Sequence, residues 1–224
     1  MKKMLLGIVC LMCISESLGQ KLEFTGGINL NRYLDADSFL DGYLPPGLKW
    51  DTGYQMALSL RSIRWWHCLP VKVTLRLDYV KGRIDEYYGG MGGGTSYHAA
   101  VDKINLGFGF FPVNIKIAKK FWVSIGGELS GRVWDHTTGE KWAFSMYATP
   151  PVRTWSLDDD ALQLNKDFFF GVSADFSYDF WLSDVWHLAP HYRFYLGLTD
   201  EFRNLESSIR SVRNYFEMGI IRRI

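Results

Sequence analysis

Beyond its first few residues the chain has no apolar run near the ~20 residues that a spanning helix needs, which excludes a helical membrane bundle. It has no surplus of one charge either. The 25 Lys and Arg face 24 Asp and Glu, for a formal net charge of +1, so there is no basic footprint for nucleic acid. Cysteine is scarce, at three in 224 residues, and the 22 glycines and 7 prolines are ordinary usage. A disulfide scaffold, a collagen-like chain and a wholly disordered chain are therefore excluded. What is present is aromatic and apolar: 47% hydrophobic residues, with Phe, Trp and Tyr at 16%. The length suits one domain or one barrel.

The first nineteen residues read as an address. Lys2 and Lys3 precede an apolar core from Met4 to Ile14, and Ser17-Leu18-Gly19 supplies small residues where a signal peptidase cuts,. Residues 1–19 are expected to be a signal peptide and residues 20–224 an exported domain. Eleven apolar residues are too few for an anchor. Cys10 lies too early for lipidation, and Cys13 follows the bulky Leu11-Met12,. Cleavage would remove Cys10, Cys13, Lys2, Lys3 and Glu16. That leaves Cys68 alone and 23 residues of each charge, so no intramolecular disulfide braces the domain.

From Lys21 onward the dominant period is two, which marks strands with unlike faces. Eight strands are expected, at about 21–31, 53–63, 70–80, 101–111, 121–133, 167–179, 188–198 and 213–224. In the third, Val71, Val73, Leu75, Leu77 and Tyr79 alternate with Lys72, Thr74, Arg76 and Asp78. In the fourth, Ile104, Leu106, Phe108 and Phe110 alternate with Lys103, Asn105, Gly107 and Gly109. Each run is longer than the ~5–6 residues of an ordinary strand and matches the 9–11 that cross a bilayer at a tilt. The connections alternate strictly. Segments 32–52, 81–100, 134–166 and 199–212 are long, whereas 64–69, 112–120 and 180–187 are short. An up-and-down membrane barrel with short turns on one side and long external loops on the other has that order.

Volume decides which face points inward. An eight-stranded barrel has room only for filling side chains, and the apolar faces are too bulky for it. The polar faces mix small residues with charges of both signs. Arg61, Arg76, Asp78, Lys103, Glu128, Arg132, Asp175, Arg193 and Glu217 are therefore expected to form a charged network inside the barrel. Facing lipid, an Arg or Lys costs about 2–4 kcal/mol near the midplane. Trp65, Trp66, Trp122, Trp181 and Trp186 fall at the short-turn end, and Trp50 and Trp134 flank the long loops. These seven are expected to form interfacial belts.

Three segments carry a resemblance. Gly26-Gly27-Ile28-Asn29-Leu30, Tyr192-Arg193-Phe194-Tyr195-Leu196-Gly197-Leu198-Thr199 and Asn214-Tyr215-Phe216-Glu217-Met218-Gly219-Ile220-Ile221 resemble the PorT-like outer-membrane β-barrel family. The resemblance covers essentially the whole exported chain and implies an eight-stranded outer-membrane barrel; the family shares no single activity. Outer-membrane barrels commonly end in an aromatic residue, whereas this chain ends in Ile224, with Arg222 at a lipid-facing position near the rim.

Motifs for chemistry are sparse. The glycines of Gly89-Gly90-Met91-Gly92-Gly93-Gly94 lack the Gly-Lys-Ser/Thr of a phosphate loop and read as a flexible external loop,. Asp158-Asp159-Asp160 lacks Ca²⁺-loop spacing, and His67-Cys68 has no second ligand pair,. No metal, cofactor or catalytic residue is expected. The expected partners are the lipid bilayer and, at the external loops, a protein or glycan, with no nucleic acid. The expected function is a non-enzymatic binding, structural or assembly-associated membrane protein. Two alternatives remain open. Ser96 and His98 with Asp135, His136 and Glu140 could form a serine–histidine–acid set of a lipid A-modifying enzyme at the outer rim,. A soluble exported, lipocalin-like barrel would instead bury the apolar faces around a ligand.

Overall fold

The computed structural model describes residues 21–35, 50–64, 70–90, 92–147, 152–156, 166–202 and 209–223. The expected signal peptide, Trp65, Trp66, His67, Cys68, Asp158, Asp159 and Asp160 lie outside them. Ten strands follow in order: β1 (Lys21–Asp35), β2 (Asp51–Arg64), β3 (Pro70–Gly90), β4 (Gly93–Lys116), β5 (Phe121–Ser145), β6 (Val152–Ser156), β7 (Phe168–Tyr178), β8 (Phe180–Trp181), β9 (Trp186–Gly197) and β10 (Ile209–Arg223).

Eight of these close a cylinder in which every pairing is antiparallel. The path runs β10-β1-β2-β3-β4-β5-β7-β9, and β9 pairs back with β10. First and last strands are zipped along their whole length, from Lys21 opposite Arg223 to Asp35 opposite Ile209. Closure leaves no sheet edge in the wall, the one arrangement of strands that hydrocarbon tolerates. The fold is an all-β, eight-stranded, up-and-down transmembrane barrel. The two short strands lie off the ring, β6 on β5 and β8 on β9.

Three strands are far longer than the expected runs. The β3–β4 ladder continues from Lys72–Phe111 to Gly90–Gly93, and the β4–β5 ladder from Lys116–Trp122 to Gly93–Ser145. Segments 81–100 and 134–145, read from sequence as loops, are strands that project past the barrel. Outside a bilayer both faces of a sheet can be wet, so the alternation that marks the spanning part fades while the pairing persists. The glycine run forms the end of the β3–β4 hairpin. Gly139 has a φ of 145°, a conformation that favours glycine,.

Bulges adjust the phase. Pairing shifts between Ile104 and Asn105, and again between Phe110 and Val113, against β5. Phe111 still points inward in step with Lys103, Asn105, Gly107 and Gly109, and the second shift then resets the phase so that Val113 and Ile115 lie on the outside and Asn114 inside. The apolar exterior of β4 thus runs from Ile104 to Ile115. At ~3.3 Å per residue and a tilt of ~40°, it covers roughly the thickness of a hydrocarbon layer.

Candidate functional site

The barrel interior is filled by ionic and aromatic side chains in three tiers. Nearest the short turns, Arg61 holds Glu23 through Nε at 2.8 Å, Asp179 through Nη1 at 3.2 Å and Ser177 through Nη2 at 2.8 Å. Lys72 pairs with Asp175 at 2.5 Å and Glu23 at 3.5 Å. His191 lies between the same two carboxylates, with Nε2 at 2.7 Å from Glu23 and Nδ1 at 3.0 Å from Asp175. An imidazole can donate from both nitrogens only as the cation.

In the middle tier, Arg76 pairs with Asp78 at 3.0 Å and contacts Glu128, while Arg193 pairs with Glu217 at 2.6 Å. Tyr215 is stacked between the two guanidinium groups, 4.8 Å from Arg76 and 4.3 Å from Arg193. It donates its hydroxyl to Asp78 at 3.2 Å. Nearest the external mouth, Glu201 takes Arg213 at 2.7 and 2.8 Å and Lys103 at 2.5 Å, and accepts from the Ser211 hydroxyl. The Lys103 ammonium faces the rings of Tyr33, Phe169 and Phe202 at 4.9–5.3 Å, where cation–π attraction supplements the ion pair.

Above this last tier the interior turns apolar. Tyr33, Ile84, Ala99, Val101, Phe202 and Ile209 form a buried cluster. The Tyr33 and Phe202 rings meet edge-on with centroids 4.8 Å apart. Tyr33 lies so close to Gly82 that a side chain there would collide with its ring. Along β3 the two faces therefore exchange character at one level. Inward, Lys72, Thr74, Arg76 and Asp78 give way to Val80 and Ile84; outward, Leu75 and Leu77 give way to Lys81 and Arg83. A wall dry outside and ionic inside becomes one wet outside and apolar inside. That exchange marks the upper border of the membrane.

The outer surface is the converse of the interior. Phe108 is 51% exposed, Leu106 46% and Phe170 40%, whereas Arg76 and Glu128 are buried at 3% and 1%. The chain crosses a bilayer. A soluble barrel built around an apolar ligand would require the opposite disposition. No family model and no curated protein sequence matches the chain. Among solved structures it is similar to Neisserial surface protein A, with 8% identity, a TM-score of 0.42 and coverage of 92% of this chain and 97% of that one. It is also similar to Ail of Yersinia pestis at 12% identity, TM-score 0.35, with 90% and 97% covered. OprG of Pseudomonas aeruginosa follows at 10% identity, TM-score 0.33, with 91% and 96% covered.

Arg61, Arg76, Asp78, Lys103, Glu128, Asp175, Arg193 and Glu217 all lie inside the barrel. Arg132 does not join them. It stands beside the bulge at the external rim, paired with Asp135 at 3.0 Å and Asp167 at 2.7 Å. Trp50, Trp134, Trp181 and Trp186 are exposed on the outer surface. Trp122 is instead buried in the short-turn mouth and donates its indole N–H to Asp179 at 3.1 Å. Its place in the alternation, in step with Ser124 and Glu128, carries that information. Glu23, Lys72, His191 and Arg213 also sit on polar faces readable from sequence, and Asp179 continues the alternation of Ser173, Asp175 and Ser177 just past the end of β7; Glu201 lies between strands, where no period marks it.

The candidate rim set is divided. His98 is opposite Glu140, and Ser96 lies two residues along the same strand, so these three share one face of the projecting sheet,. Asp135 and His136 are opposite Lys103 and Asp102, several rungs closer to the barrel, and Asp135 is engaged by Arg132. Among the described residues no group of three or more His, Cys, Asp or Glu is placed to hold a metal ion.

Glu201 lies outside the spanning strands, and its carboxyl titrates with a definite sign. Burial alone would raise its pKa, but Arg213 and Lys103 hold it below the ordinary value. A carboxyl depressed in the folded state stabilises above its unfolded-state pKa, and the stabilisation is lost as pH falls through the folded value. Urea unfolding of the full chain in vesicles should show it. Glu201→Gln is expected to cost about 2 kcal/mol at pH 7. It should also lose less further stability on acidification than the wild type; equal losses in the two proteins would remove Glu201 from the titration.

Proposed function

We propose that the chain is an integral outer-membrane β-barrel protein without enzymatic activity, which presents an external sheet to a protein or glycan. The observation that carries this reading is the pairing of a filled barrel with a projecting, aromatic-bearing sheet. The spanning part holds packed ion pairs where a pore would need an open path, so its architecture suits anchoring. Beyond the membrane border, β3, β4 and β5 continue with β6 alongside, and this blade exposes Trp142, Met146, Tyr147 and Val152. Exposed aromatic groups on a rigid sheet are common anchors of recognition. Localisation in an outer membrane and the PorT-like resemblance belong to this reading, as does export by the N-terminal segment.

A variant in which residues 86–98 and 140–156 are each replaced by a short Asn-Gly turn, which removes Trp142, Met146, Tyr147 and Val152, tests it. The wild type should migrate as a heat-modifiable band after detergent extraction of the outer membrane, and planar bilayers containing it should show no steady conductance. The shortened variant should keep its heat-modifiable band and lose binding to whole-envelope protein and glycan arrays. Sustained conductance, or array binding that survives the deletion, would contradict the reading. The shared face of Ser96, His98 and Glu140 favours one second reading, a lipid-modifying enzyme. Turnover of lipid A that disappears in Ser96→Ala would establish it in place of the first.

A further inference from the structure

The two rims of the barrel treat their cations differently. At the external end most of the described cations are paired with carboxylates, among them Arg83 with Asp51 at 3.6 Å, Lys166 with Asp200 at 3.3 Å, and Arg132 with Asp135 and Asp167, whereas Lys81 lies against the Tyr79 ring. At the short-turn end, Lys116, Lys119, Lys120, Arg222 and Arg223 have no carboxylate partner among the described residues. Of the acids at that end, Asp179 is occupied by Arg61 and Lys21, which leaves Asp184 on the exposed turn.

Three of these five cations lie against aromatic rings. Lys116 lies over Trp122 at 5.8 Å, Lys120 over Trp181 at 5.9 Å and Arg222 over Trp186 at 5.9 Å. The backbone joins the same pieces. The Asp179 amide donates to the Lys120 carbonyl at 2.8 Å, and the Arg223 amide to the Val185 carbonyl at 2.8 Å. Two turns and the last strand therefore form one continuous arc. Between the cations, Ile117, Trp181, Leu182 and Val185 are exposed apolar groups, suited to acyl chains and glycerol backbones.

We propose that this arc is a binding surface for anionic phospholipid headgroups in the leaflet on the short-turn side. The inference rests on the membrane-spanning reading and goes beyond it by naming a lipid class and one leaflet. Charge complementarity identifies the occupant. A cluster of cations without carboxylate partners among the described residues, with Lys120 and Arg222 against the exposed Trp181 and Trp186, matches phosphate-bearing headgroups that carry net negative charge,. A zwitterionic headgroup offers no net attraction to it. Lys and Arg stems reach from the apolar border to the phosphate plane by snorkelling.

The test uses the full chain reconstituted in phosphatidylcholine vesicles containing either spin-labelled phosphatidylglycerol or spin-labelled phosphatidylcholine. The spectra give the fraction of each lipid immobilised by the protein. Phosphatidylglycerol should be preferred roughly fivefold, about what one basic residue near an anionic surface supplies, and the preference should shrink at high salt. The variant Lys119→Gln/Lys120→Gln/Arg222→Gln/Arg223→Gln should bring the ratio close to one, whereas Lys81→Gln/Arg83→Gln at the external end should leave it unchanged. Inorganic phosphate at matched ionic strength should not displace the lipid. A wild-type ratio near one, a ratio unaffected by the fourfold variant, or displacement by phosphate would each overturn the proposal. Heat modifiability is recorded in every sample. A chain that fails to incorporate as a heat-modifiable barrel contradicts the spanning reading itself, and the salt dependence of the wild type decides the lipid preference if the fourfold variant does not fold.

Discussion

Replacing Arg61 by methionine should destabilise the barrel by about 3–5 kcal/mol, the loss that follows when one member of a buried ion pair is removed. The guanidinium is 1% exposed and touches Glu23, Asp179 and Ser177 at once. Its removal leaves Glu23 with Lys72 and His191, and leaves Asp179 with Lys21 and the Trp122 indole. Both carboxylates are nearly shut off from water, Glu23 at 0% and Asp179 at 4% exposed. The double variant Arg61→Met/Glu23→Gln should recover part of the loss, because the uncompensated charge is removed with its partner. Urea midpoints of the three proteins in vesicles measure the cycle. Additive losses would mean that the two groups do not interact in the folded barrel.

The second large effect is expected outside. Phe108→Arg places a guanidinium in the apolar band, midway along the outer face of β4, where it should cost about 2–4 kcal/mol. The same substitution at Leu198, just beyond the end of β9, should cost about 0–1 kcal/mol, because the side chain there reaches interfacial water. The two positions are similarly exposed in the isolated barrel. Only a solvent that changes from hydrocarbon to water along the strand separates them. Equal losses on urea titration would remove the bilayer from the account.

Much of this arrangement is legible in the residues. The alternation of Val73, Leu75 and Leu77 with Lys72, Thr74 and Arg76 assigns both faces of β3, because lipid outside and ions inside are the strongest contrast a strand can carry. Above the border the contrast reverses. Val80 and Ile84 point inward while Lys81 and Arg83 point out, so the period loses its meaning just where the strand continues. The projecting sheet was hidden for that reason, and its hydrogen bonding is set by neighbouring strands and not by an apolar face. Trp122 shows another limit. Residue type suggests an interfacial ring, but its phase puts it among the interior groups, and Asp179 gives its N–H an acceptor there. Asp179 lies just past β7 and Glu201 in a connection, and their partners lie away from them in sequence on β2, β4 and β10. Only closure of the ring brings them together.

The central claim is that apolar side chains face lipid and ionic ones fill a closed cylinder. Spin labels placed singly along β4 at positions 104 to 110, in a Cys68→Ser chain reconstituted in vesicles, test it most directly. Oxygen accessibility should peak at 104, 106, 108 and 110 and fall at 105, 107 and 109, with a polar nickel complex reaching none of them strongly. A polar reagent reaching 106 and 108, or oxygen accessibility without a two-residue period, would contradict it.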